Sequence, residues 1–194
     1  MRSPDDSPRG GPEIRASLIS AARHLLESTL PVGLSVRAIA AEAGVNSGLV
    51  HRHFGSKAAL FGAVITQVRA EYLSQLDPDM DLLDQLFAPI EWIVRTPLAG
   101  RLLVWSASEG NDPAAFGLDY QLVKRAAGLM TDDGIEDAES IIAHQLAAAI
   151  GWNAFETALM HGLDQDPAAV DEARDQFLTY ARRNLHEALT RPQR

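Results

Sequence analysis

The stretch Ser35 to Leu60, SVRAIAAEAGVNSGLVHRHFGSKAAL, constrains this chain more than any other part of it. Ser35 opens a helix as its N-cap, and Val36, Ile39 and Ala40 behind it fall on one helical face. Gly44 ends that helix where the backbone has to turn left-handed, a conformation glycine adopts at no steric cost. Asn46 caps a second short helix that runs through Leu49 and Val50 to His53-Phe54, and Gly55-Ser56 breaks it before a third. Two short helices about a glycine turn, with a longer one following, form the pattern of a helix-turn-helix reading head for duplex DNA.

Such a head has to approach a polyanion, so the placement of charge matters. The 194 residues carry a net charge of −9, but unevenly. Residues 1–70 hold eight basic and five acidic groups, a balance of +3, and residues 71–194 carry −12. A molecule charged in this way turns its basic end to DNA and holds its acidic end away. No apolar run approaches the roughly 18 residues of a membrane span. The N-terminus, MRSPDDSPRGGPEIR, has no apolar core of a signal peptide. The absence of cysteine excludes disulfides, thiolate metal sites and cysteine catalysis, and fits a cytoplasmic protein.

Along the chain, residues 1–12 are a Pro/Gly-rich leader without an apolar pattern. From Glu13, the residues Ile14, Leu18, Ala21, Ala22, Leu25 and Leu26 recur at helical spacing, and breakers close the segment at Thr29 to Gly33. The head is expected over 13–60 and a connecting helix over 57–76, with Asp77-Pro78-Asp79 as the joint to a second domain at 77–194. There the breakers leave helices at about 80–95, 97–109, 113–130, 135–162 and 167–190, with no strand alternation. The expected fold is all-α with about nine helices: an N-terminal three-helix helix-turn-helix domain and a C-terminal helical domain.

The motif resembles that of the TetR-type transcriptional repressors. The residues that carry the likeness are Ser35, Ile39-Ala40, Ala43-Gly44-Val45, His53-Phe54, Ser56-Lys57 and Leu60, within a match over residues 13–70. The resemblance implies a one-component regulator that binds a partly palindromic operator as a homodimer. A small-molecule effector in the C-terminal domain would release it by changing the spacing of the two heads. Two positions depart from the family pattern. His51 stands where a tyrosine hydroxyl usually meets a phosphate, which makes that contact pH-sensitive. Leu49 replaces a threonine or alanine and can pack on a thymine methyl without hydrogen-bonding a base.

The residues expected to face DNA are Ser35, Arg37, Asn46, Ser47, Gly48, Leu49, His51, Arg52 and Lys57. Ser47-Gly48 lets the reading helix approach the groove closely, while Arg37 reaches a base or phosphate and Lys57 clamps a phosphate at a helix start. In the second domain, residues 138–161 form a helix apolar on most sides, so most sides are buried. Its Ala147, Ile150 and Ala154, with Phe177, Ala181 and Leu185 of the last helix, suit a two-fold four-helix interface. Polar residues interrupting apolar surface mark an effector pocket, for which Trp92, Arg95, Trp105, Gln145, Trp152, Asn153 and Glu156 are the candidates.

No catalytic or metal site is expected. His144 and His161 lie about 100° apart around one helix and cannot share an ion from it. No metalloprotease, nucleophile-elbow or phosphate-loop motif is present. No cofactor, membrane partner or enzymatic activity is therefore expected. The chief rival reading is a ligand-independent DNA-binding protein whose C-terminal domain only dimerises, and a more distant one is a helical enzyme or carrier.

Overall fold

The computed structural model describes residues 10–111, 121–132, 134, 135 and 137–190. The leader as far as residue 9 and residues 113–120 of the expected seventh helix lie outside the described residues. Among them are nine α-helices and no strand: α1 (Gly11–Ser28), α2 (Val36–Glu42), α3 (Gly48–Phe54), α4 (Lys57–Leu73), α5 (Leu82–Arg95), α6 (Pro97–Ser108), α7 (Gln121–Asp132), α8 (Ala138–Gly162) and α9 (Val170–Thr190). Single 3-10 turns precede α2, at Pro31–Gly33, and α9, at Pro167–Ala169.

The helix ends differ from the sequence reading where a local bond decides them. α1 starts at Gly11, two residues early, because Pro12 falls in the first turn, where a missing N–H is harmless. α4 stops at Leu73 rather than residue 76: Gln75 and Leu76 tighten into turns on Tyr72 and Leu73, and Pro78 disfavours helix at Asp77. α8 begins at Ala138 rather than 135, since Asp137 is left-handed at φ 60°. α9 begins at Val170 rather than 167, because Asp166 draws the Ala168 and Ala169 amides into a 3-10 turn.

The chain divides into two compact units. The first holds residues 10–71 and 101–111, and the second holds residues 72–100 and the described residues from 121 onward. In the first, Leu18, Ala22 and Leu26 of α1 are buried together with Ile39 and Ala40 of α2 and Val50 of α3. So are Leu60, Phe61 and Val64 of α4, where Trp105 of α6 meets Phe61 edge-on at 5.2 Å. Burying side chains of this size is worth about 1.5–3 kcal/mol each, which holds helices as short as α2 and α3 that would not persist alone.

In the second unit, Leu86, Ile90 and Val94 of α5, Met130 of α7, Ile142 and Ala149 of α8, and Leu178 and Leu185 of α9 form the core. A backbone defect is repaired inside it. Pro97 has no N–H to offer the Ile93 carbonyl one helical turn back, which takes only a long 3.3 Å bond from the Thr96 amide, and Asn153 donates its Nδ2 there at 2.6 Å. Gly100 makes room for that side chain, because a Cβ at residue 100 would lie 2.3 Å from the Asn153 amide group.

Candidate nucleic-acid interface

The helix ends of the reading head are built by short-range bonds. Ser35 Oγ accepts from the Ala38 amide at 3.1 Å and fixes the start of α2. At the other end Gly44 has φ +70°, and the Val45 amide reaches back to the Ala40 carbonyl at 2.9 Å, closing the helix with a glycine cap. Asn46 Oδ1 then accepts from the Gly48 amide at 2.8 Å, so its side chain caps α3 from one residue before the N-cap, Ser47. A side chain at residue 48 would crowd that cap, with its Cβ 3.2 Å from Asn46 Oδ1. Gly48 therefore serves two ends: it keeps the cap, and it leaves the start of α3 open to a groove.

On α3, Val50 faces the core, Ser47 and Leu49 are half-buried, and Gly48, His51 and Arg52 are exposed. His51 Nδ1 lies 3.2 Å from the Gly55 carbonyl. A carbonyl only accepts, so Nδ1 carries the hydrogen, and Nε2 gains one only when the ring is protonated. A phosphate contact from His51 through Nε2 thus needs the imidazolium.

The cations of the head fall into two groups. Arg15 donates to the His53 carbonyl at 3.1 Å with its guanidinium 4.2 Å over the Phe54 ring, tying α1 to the end of α3. Arg23 binds both oxygens of Glu71 at 2.8 Å, and its hydrogen bond, with a second from Gln67, holds the Glu71 carboxyl below its ordinary range. Lys57 Nζ is 3.1 Å from the carbonyls of Pro31 and Leu34, half-buried, and directed into the head. Arg37, on the first turn of α2, and Arg52, on α3, are exposed and meet no acid or carbonyl among the described residues. Two unpaired, exposed guanidiniums are groups that a phosphate backbone or a guanine edge would take up.

The residues expected around an effector are distributed over both units. Trp105 belongs to the first, against Phe61. In the second, Trp92 and Asn153 are 5% and 7% exposed, Gln145 is half-buried, and Trp152 stacks on Phe177 at 5.3 Å. Glu156 accepts from Arg174 through both oxygens at 3.0 Å, in a pair of which sequence reasoning named only one half. Arg95 is exposed; its bonds to Glu91 and Asp175 strengthen its hold on its proton. The indole nitrogens of Trp92 and Trp152, Asn153 Oδ1 and Arg174 Nε are buried without a hydrogen-bond partner among the described residues.

Of the expected interface residues, Ala147 is exposed, Ile150, Ala154 and Phe177 are half-buried, and Ala181 and Leu185 are buried within the single chain. The large apolar side chains left in water on these helices are Phe155 (58% exposed), Leu159 (47%) and Tyr180 (54%), none of which was singled out. Phe155 and Leu159 line up with Ala148 and Gly151 at helical spacing along α8. A helical wheel drawn from an exposed reference would have found them. Among the described residues no cluster of acids and histidines is placed to hold a metal ion, and no helix is long and apolar enough to cross a membrane.

The profile of bacterial regulatory proteins, tetR family, matches residues 18–64. An HTH-type transcriptional repressor of Mycobacterium tuberculosis is 30% identical over 170 residues, covering 86% of this chain and 86% of the relative. An HTH-type transcriptional regulator of Mycobacterium bovis matches to the same extent. Among solved structures, Mycobacterium smegmatis BioQ superposes with a TM-score of 0.61 at 17% identity, over 93% of this chain and 99% of that one. A transcriptional regulator from a Rhodococcus species gives 0.59 at 21% identity, over 95% and 100%. Both solved structures share the fold.

Proposed function

The chain belongs to the tetR family of bacterial regulatory proteins, and from that premise we propose that it is a one-component repressor which holds a palindromic operator as a homodimer and is released by a small-molecule effector. That it is a DNA-binding transcriptional regulator follows from the family. The direction of control follows the M. tuberculosis relative, itself named a repressor.

The observation that carries the operator reading is the division of the cations. Arg15, Arg23 and Lys57 are engaged within the head, while Arg37, on the first turn of α2, and Arg52, on the last turn of α3, stand exposed and unpaired among the described residues. Arg52 and the α3 start, Ser47 to Leu49, enter the major groove; Arg37 and His51 take the flanking phosphates. Base-specific donors are few here, so DNA shape supplies part of the specificity. In a dimer the two heads occupy successive major grooves about 34–36 Å apart.

The exposed Ala148, Phe155 and Leu159, in line with the half-buried Gly151, with Ala147 beside them and Tyr180 on α9, support a two-fold contact between copies. The unpartnered buried groups of Trp92, Trp152, Asn153 and Arg174 support a polar ligand site among α5, α8 and α9. Occupying it tilts α4 and moves the heads out of register; a coupling of about 1–3 kcal/mol lowers operator affinity roughly 5–150-fold.

The test is a titration of the preferred operator. Arg37→Ala and Arg52→Ala are each expected to weaken binding roughly tenfold or more. Phe155→Glu with Leu159→Glu is expected to yield a monomer by sedimentation that has lost cooperative binding to both half-sites. Undiminished affinity in both arginine variants would contradict the operator reading, and an intact dimer would contradict the α8 interface.

A further inference from the structure

We infer that Lys57 and Trp105 are positioning residues of the reading head. Lys57 braces the turn ahead of α2 from inside and serves the operator through Ser35 and Arg37, without touching a phosphate. The inference rests on the head being the element that meets DNA.

The turn at Pro31–Gly33 leads directly into Leu34 and the N-cap Ser35. Its carbonyls are poorly served by the backbone: the Leu34 amide reaches Pro31 O only at 3.4 Å. Lys57 Nζ supplies what is missing, at 3.1 Å from both Pro31 O and Leu34 O. The ammonium also lies 5.1 Å from the centre of the Trp105 ring and 5.7 Å from that of Phe61. Phe61 is fully buried and is itself pinned edge-on by Trp105. Among the described residues two carbonyls and two rings hold the cation, with no carboxylate, and desolvation strengthens the attraction to the rings. Of the three N–H groups of an ammonium, two are taken by the turn.

The leverage is geometric. α2 is seven residues long and has too few internal bonds to hold its own direction. Its start is set by Ser35 and by the turn before it. Removing the brace leaves the Pro31 and Leu34 carbonyls short of a donor and lets Ser35 and Arg37 shift together. Trp105 acts one step further back, by fixing where the ammonium rests.

Lys57→Met keeps the stem and removes the donor, and the expected results separate bracing from phosphate contact. In the DNA-free protein, exchange of the Ala38 and Ile39 amides, both bonded to Ser35, should accelerate roughly tenfold. Operator affinity should fall roughly tenfold or more. The slope of log K against log salt should stay unchanged, whereas a lost phosphate contact lowers it by about 0.9 per head. Trp105→Leu should reproduce both effects in weaker form, and Trp105→Phe, which keeps a ring face, should restore most of the affinity. A reduced salt slope in Lys57→Met would make it a phosphate ligand and overturn the inference, as would unchanged amide exchange. A parent protein that binds no operator would sink the functional reading instead, and the exchange experiment would still decide the brace.

Discussion

The helix caps and turns of the reading head are set by polar bonds of short reach, and the helices of the second unit are joined by polar bonds of long reach. In the head, Ser35 caps an amide three residues on, Asn46 caps one two residues on, and Gly44 turns the chain within a single residue. In the second unit, Asn153 serves a carbonyl 60 residues away, Glu156 pairs with Arg174 18 residues away, and Arg182 pairs with Asp84. Short-range bonds give the ends of α2 and α3 a geometry written into a few neighbouring residues, while Arg15, Arg23 and Lys57 tie the head together over 23 to 48 residues. Long-range bonds make the second unit depend on several helices being in place at once.

The comparison is broken most forcefully at Glu156. Its side chain and that of Arg174 are 15% and 17% exposed, so Glu156→Gln leaves a nearly buried guanidinium with only the exposed Asp171 as its counter-charge. The expected cost is about 3 kcal/mol, a fall in Tm of roughly 6–12 °C. Replacing both residues, with Glu156→Leu and Arg174→Met, should recover most of it. A single variant as stable as the parent would mean that apolar packing alone holds these helices.

Gly100→Ala comes next. Its methyl would enter the space of the Asn153 amide, which is fixed by its bond to Ile93, and should cost about 2 kcal/mol in thermal or denaturant unfolding. Adding Asn153→Gly, which removes the amide and also the Cβ that lies 2.6 Å from the new methyl, should relieve the clash, so that the two changes cost less together than their separate costs imply. In the head, Ser35→Ala removes one local cap and should cost about 1 kcal/mol.

The smallest effect is expected at Arg23, whose partner Glu71 lies on the surface, where ion pairs contribute little. The Glu71 carboxyl is held below its ordinary value of 4.5 in the folded chain. Its contribution is therefore fully present above pH 4.5 and is lost as pH falls through the lower folded value. Arg23→Gln should lower Tm less than Ser35→Ala does near neutral pH, and its melting should converge with the parent's in acid.

The same difference in reach explains what the residues disclosed beforehand. Ser35, Gly44, Asn46 and Gly55 announce caps and turns through their own conformational preferences, so the order of helices in the head is legible. Lys57 reads as an outward cation because its partners, Pro31 and Leu34, lie 26 and 23 residues back and are backbone carbonyls, which carry no sequence signal. In the second unit the breakers disclose the helices and the apolar runs disclose α8 as a central element. They do not disclose that Arg174 answers Glu156, or that Ala181 and Leu185 turn inward while Phe155 stays in water. Such facts belong to the angles at which helices meet, and helix periodicity carries no information about those angles.

The central claim is that the open start of α3, with Arg37 and Arg52, reads a specific duplex as one half of a symmetric pair. Selection of the purified protein against a random duplex library at fixed salt tests it most directly. The expected result is a partly palindromic consensus with half-sites centred about 10 base pairs apart, lost on Arg52→Ala. Binding that falls with salt but enriches no consensus, equally in parent and variant, would contradict it.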